Sequence, residues 1–125
     1  MLRLILIIGL GSFLGGILRF LASRIIQNSV LSAFPYGTFV VNIAGCFLIG
    51  LIYGISERGN FIGTEWKMFL TVGFCGGFTT FSTFANENLL LLKDGSFFIF
   101  SIYAGLSVFL GILATWAGNI ISKIF

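Results

Sequence analysis

Gly73-Phe74-Cys75-Gly76-Gly77-Phe78-Thr79-Thr80-Phe81-Ser82-Thr83-Phe84 is the stretch that decides how this chain folds. It lies inside an apolar run over residues 66–92. Crossing a hydrocarbon core takes about 20 apolar residues in a helix, so the run is long enough to span. Two adjacent glycines followed by two threonines are poor helix material. At mid-membrane depth they predict a helix broken near its middle. Carbonyls freed by such a break cannot face lipid; they are buried in protein, line a cavity or hold a cation. Spacing alone leaves two readings open: a glycine kink sealed by Ser and Thr hydroxyls, or one wall of a polar path. No Gly-Lys-Ser/Thr follows, so the segment is not a phosphate loop.

Working outward, three more apolar runs cover residues 4–26, 36–55 and 97–121. Short polar punctuation separates the four: Gln27-Asn28-Ser29 with Pro35, Glu57-Arg58-Gly59-Asn60, and Lys93-Asp94-Gly95. The chain is 58% hydrophobic and only 9% charged, whereas a soluble globule carries roughly 25% charged residues. Its solvent is therefore the lipid bilayer, and open sheet is not viable there. The expectation is an all-α membrane protein with four transmembrane helices, the third broken, and residues 1–125 forming a single four-span subunit. The apolar N-terminus reads as the first span and not as a removed signal peptide.

Composition excludes several chemistries. There is no histidine. Cys46 and Cys75 lie in apolar stretches without CxxC spacing, which argues against usual zinc sites and a disulfide framework. Both read as small packing residues. The net charge of +3 is scattered without a basic run, so nucleic acid is not the partner. With four spans, Arg3, Arg58, Lys67 and Lys123 fall on one side, against Arg19, Arg24 and Lys93 on the other. A settled orientation carries a clear Lys/Arg excess on the cytoplasmic side. So even a tally fits either a weakly biased chain with one orientation, or insertion both ways to form an antiparallel dual-topology dimer.

Gly11 with Gly15, and Gly50 with Gly54, make small-xxx-small spacings that allow close helix packing. Phe81 and Phe84 share one helix face beyond the break. Phenyl edges are electropositive, so the pair reads either as plain packing or as ring edges that help a small dehydrated anion. On the fourth span Tyr103, Ser107, Gly111, Thr115 and Asn119 follow at four-residue steps. This stripe is either a polar seam or a path wall, and the buried amide of Asn42 can join either. Arg19 reads as snorkelling to the interface or binding anions in a vestibule. Glu87 reads as paired or hydrated near the far interface.

These residues resemble the Fluc/CrcB family of fluoride channels over nearly the whole chain. The likeness begins with Gly15-Gly16-Ile17-Leu18-Arg19-Phe20 and continues through Gly37-Thr38-Phe39-Val40-Val41-Asn42, Gly45 and Gly50. It is strongest from Gly73 to Phe84, and ends with Tyr103 and Thr115. The resemblance implies a bacterial inner-membrane, multi-pass channel, not an enzyme. Such channels pass fluoride out of the cell, and so lower its toxicity, through two pores in an antiparallel homodimer. It implies that Phe81 and Phe84 line the pore, with Asn42, Ser82, Thr83, Tyr103 and Thr115 along the pathway and Arg19 at the vestibule. It further implies a structural sodium ion at the dimer centre, held by main-chain carbonyls of Gly76 and Thr79.

One departure stands out: Gly111 occupies a place where the family often has serine, so the hydroxyl track loses a rung between Ser107 and Thr115. Two rivals share the size and span count. A dual-topology small multidrug transporter needs a carboxylate in the first span, and there is none here. A non-conducting membrane assembly subunit would use the glycines and hydroxyls for packing alone.

Overall fold

The structure, a computed structural model, describes residues 1–59 and 62–124. Asn60, part of the second polar punctuation, lies outside the described residues. The described chain is all-helical: α1 (Leu2–Ser29), α2 (Tyr36–Glu57), α3 (Thr64–Met68), a π-helical segment (Phe69–Cys75), α4 (Gly76–Phe78), α5 (Phe81–Lys93) and α6 (Phe97–Ser122). Four stretches are long and apolar enough to cross a membrane: Leu2–Ser29, Tyr36–Glu57, Thr64–Lys93 and Phe97–Ser122. The helices run a few residues past the apolar runs because intrahelical bonding continues into the headgroup region.

The third span is broken where the sequence predicts. Thr79 (φ −93°, ψ 157°) and Thr80 (φ −150°, ψ 121°) are extended, which separates α4 from α5. The π winding upstream was not legible in the residue pattern. Such widened turns are rare and occur mostly as local insertions in α-helices. Here the widened segment is the surface on which α1 rests.

Two glycine seams hold the bundle, and both are backbone on backbone. A Cβ added at Gly15 would run into the Phe74 carbonyl, and one at Gly11 would lie 3.0 Å from the Phe74 nitrogen. Along the other seam, between α2 and α6, a Cβ at Gly50 would strike the Thr115 carbonyl and one at Gly118 the Phe47 carbonyl. Lipid gives no hydrophobic drive to bring helices together, so such close approach supplies the packing instead. Gly16, by contrast, has open space around it.

The ends are tied by polar contacts. Gln27 Nε2 donates to the Ser32 and Phe34 carbonyls, and its Oε1 accepts the Gly37 N–H at 3.0 Å, which fastens α1 to the start of α2. On the opposite side Arg3 Nε lies 2.7 Å from Glu65 Oε2, and Arg58 Nη1 donates to the Ser122 carbonyl. Between α5 and α6, Gly95 (φ 75°) takes the left-handed conformation that closes a helix end. The Ser96 N–H then bonds the Leu91 carbonyl and the Gly95 N–H bonds the Leu92 carbonyl.

The seams make a direct prediction. Gly15→Ala forces a methyl group into the Phe74 carbonyl and should cost about 1–3 kcal/mol, the range for overpacking. Gly9 faces open space, so Gly9→Ala should leave stability unchanged or raise it. Unfolding of the purified protein in mixed detergent micelles measures both. Equal losses would show that close approach at Gly15 is not what holds α1.

Candidate functional site

The site is built around the break. Extended backbone at Thr79 and Thr80 takes peptide groups out of the helical ladder, and within a membrane span such groups need partners in the protein. Asn42, from the second turn of α2, answers for Thr80 on both sides. Its Nδ2 donates to the Thr80 carbonyl at 3.1 Å, and its Oδ1 accepts the Thr80 N–H at 2.8 Å. The Thr80 side chain then caps α5, its Oγ1 accepting the Thr83 N–H at 3.2 Å. From α1, Arg19 Nε donates to the Gly77 carbonyl at 3.0 Å. Thr79 turns back, its Oγ1 donating to the Cys75 carbonyl at 2.8 Å.

This arrangement opens a cavity of about 240 Å³ on the protomer surface. Asn42 and Cys46 line it from α2, Thr79, Thr80, Phe81 and Phe84 from the third span, and Ser107 and Val108 from α6. The two phenyl rings stand 5.8 Å apart, tilted by 46°. Phe81 is 79% exposed in the protomer. No Lys or Arg lines the cavity. The Ser107 Oγ is closed off from solvent and has no hydrogen-bond partner among the described residues.

Of the residues singled out in the sequence, the structure thus gathers Asn42, Phe81, Phe84 and Thr79 around one space. Ser82 and Thr83 sit beside it, their hydroxyls 3.4 and 3.2 Å from Thr80 Oγ1. Tyr103 is fully buried, at 0% exposure, and packs its ring against Phe84 with centroids 5.0 Å apart. Its hydroxyl donates to Glu87 Oε1 at 2.9 Å, and Thr38 Oγ1 donates to Glu87 Oε2 at 3.0 Å. Thr115 stands apart on the α2–α6 seam, its hydroxyl donating to the Gly111 carbonyl of its own helix at 3.0 Å. Arg19 is engaged at the break through its Nε.

The sequence reading passed over Cys46 as a wall residue and over the Thr38–Glu87–Tyr103 cluster. A signal was present: Thr38, Asn42 and Cys46 follow at four-residue steps on α2, as the stripe does on α6.

For a metal, the described residues hold no group of three or more His, Cys, Asp or Glu side chains. What they offer is carbonyl oxygen. Asn42 diverts the Thr80 N–H, which in a continuous helix would bond the Gly76 carbonyl four residues back. Gly76 is exposed on the protomer surface. Carbonyls at the C-terminal end of a half-helix carry partial negative charge, and such neutral oxygen suits a hard monovalent cation in a membrane. The donor chemistry at Gly76 and Thr79 therefore fits sodium.

The family model for CrcB-like protein, Camphor Resistance (CrcB), matches residues 6–119. The chain is 50% identical over 122 residues to the fluoride-specific ion channel FluC of Flavobacterium psychrophilum, covering 98% of each. It is 47% identical over 124 residues to the channel of the same name from Bacteroides fragilis, covering 97% of each. To that of Campylobacter jejuni it is 39% identical over 123 residues, 98% of this chain and 100% of the other.

The pair of hydrogen bonds between Asn42 and Thr80 generates the next prediction. Asn42→Ala strands a donor and an acceptor, and each buried unsatisfied group costs about 1–3 kcal/mol. Amide hydrogen exchange at Thr80 should accelerate while the amides of α6 keep their rates. Unchanged exchange at Thr80 would mean that something other than Asn42 holds the break.

Proposed function

The chain belongs to the CrcB family and is a fluoride ion channel, and we propose that fluoride passes through the cavity walled by Asn42, Phe81, Phe84 and Ser107. The observation that carries this reading is the convergence of weak donors on one space that holds no fixed positive charge. Asn42 Nδ2 bears two N–H bonds, and Thr80 takes one. The other remains for an anion, as does the partnerless hydroxyl of Ser107. The tilted rings of Phe81 and Phe84 offer electropositive edges. Conduction needs donors good enough to replace hydration and weak enough to release the ion. A lysine or arginine in the wall would hold fluoride too long.

The channel is passive: it moves fluoride down its gradient and out of the cell. Its working form is an antiparallel homodimer with two paths, in keeping with the even distribution of Lys and Arg over the two sides. Ser82, Thr83, Tyr103 and Thr115 extend the polar surroundings of the path, and Arg19 stands at its vestibule. A structural sodium ion would be held by the Gly76 and Thr79 carbonyls of both copies across the two-fold axis. When bound it would supply a positive charge to offset the partial negative charge of those carbonyls. One protomer offers too few carbonyls to complete such a shell, so the ion and the dimer support one another.

Proteoliposomes test the reading. The purified protein should release fluoride and not chloride, without a pH gradient. A requirement for a proton gradient would point to a proton-coupled transporter instead, although α1 carries no carboxylate for that work. Phe81→Ile and Phe84→Ile should each cut flux at least tenfold while the dimer persists on gel filtration; full flux would remove the rings from the path. C-terminal tags should report both orientations in one membrane population, and a single orientation would contradict the antiparallel homodimer.

A further inference from the structure

The polar stripe on α6 has a gap. Between Ser107 and Thr115 it passes through Gly111, which brings no side chain. The structure supplies one from the neighbouring helix. A Cβ built on Gly111 would meet Cys46 Sγ at 3.5 Å, the one such neighbour within 4 Å among the described residues. Cys46 is half-buried and lines the same cavity as Asn42, Phe81, Phe84 and Ser107. Cys75, by contrast, is only 1% exposed and belongs to the packing of the π segment.

A second observation at this place points to a ligand. Ser107, one helical turn before Gly111, has its Oγ shut off from solvent with no protein partner among the described residues. Buried hydroxyls are ordinarily bonded, so this one lacks its usual partner beside a cavity that its own residue lines. The thiol stands at the following step. An S–H is a weak donor on a polarisable atom, and a weak donor suits a path that must release its ion.

We propose that Cys46 is a wall residue of the fluoride path, its thiol taking the step on α6 that Gly111 leaves bare. This rests on reading the cavity as the path. It also makes the channel chemically addressable at one atom. Aminoethyl methanethiosulfonate reacts through the thiolate: the Cys46 sulfur bonds to the reagent's sulfenyl sulfur, methanesulfinate leaves with the electron pair of the broken S–S bond, and the thiol proton goes to buffer. The product places a primary ammonium inside a path otherwise free of fixed positive charge, where it obstructs and traps the anion.

The test uses the full-length dimer in proteoliposomes, with fluoride efflux read by electrode and the modified residue identified by mass spectrometry. Wild type and Cys75→Ala should each lose tenfold or more of their flux on treatment and regain it with dithiothreitol. Cys46→Ser and Cys46→Ala, whatever their starting rates, should keep those rates through the treatment. A purely structural cysteine would not produce this pattern, because the reagent acts after assembly. Labelling at Cys46 that leaves flux untouched, failure of Cys46 to react in a conducting channel, or equal block of the Cys46 variants would each overturn the assignment. Protein that moves no fluoride before treatment overturns the reading of the path, and this inference with it.

Discussion

Inside a bilayer every peptide group must find its partner in the protein, because there is no water to take its place. Among the described residues of the four spanning stretches, helix gives way only at Thr79 and Thr80, and most of the site follows from how that exception is resolved. Asn42 takes both polar groups of Thr80, Arg19 takes the Gly77 carbonyl, and Thr80 caps the next helix. Three helices are thereby tied to one break. Once α5 begins where Thr80 sets it, Phe81 and Phe84 have no freedom about which way they face, and they face the space between α2 and α6.

The same economy explains why a largely apolar space carries a few polar groups and no charged one. The guanidinium at the break, that of Arg19, holds a carbonyl through its Nε. The half-buried Glu87 accepts hydrogen bonds from Tyr103 and Thr38, and the Tyr103 ring packs against Phe84. The polar side chains that line the cavity, Asn42, Cys46, Thr79, Thr80 and Ser107, are all uncharged. Each is a modest donor, and a membrane path works best with several of those in place of one strong site.

Much of this was legible in the residues. Span number came from apolar length, and the break came from Gly76-Gly77 ahead of Thr79-Thr80, since neither pair is content in a helix interior. The Gly11/Gly15 and Gly50/Gly54 spacings do mark the seams. The π winding over Phe69–Cys75, which packs against α1, has no marker in the apolar pattern of its residues. The α6 stripe was seen as one feature, yet it divides: Tyr103 turns to Glu87, Ser107 to the cavity and Thr115 to its own helix. A four-residue step drifts round the helix by roughly 40° each time, since 3.6 residues make a turn. Partners on α2 and α5 then decide each side chain separately. A thiol in an apolar run ordinarily reads as packing, and the nearness of Cys46 Sγ to Gly111 is a tertiary fact that no spacing in the residues announces.

The glycine seams carry a thermodynamic consequence. In a water-soluble domain, unfolding wets apolar surface, and the resulting heat-capacity change bends the stability curve into a dome. Here the faces that separate at Gly15 and Gly50 were in contact through backbone atoms, and on separation they meet lipid chains. Little apolar surface is hydrated, so the curvature is nearly lost. Stability of this bundle then declines steadily with temperature from cold to warm. Close packing sets the slope, and no fading of a hydrophobic drive weakens the fold at the cold end.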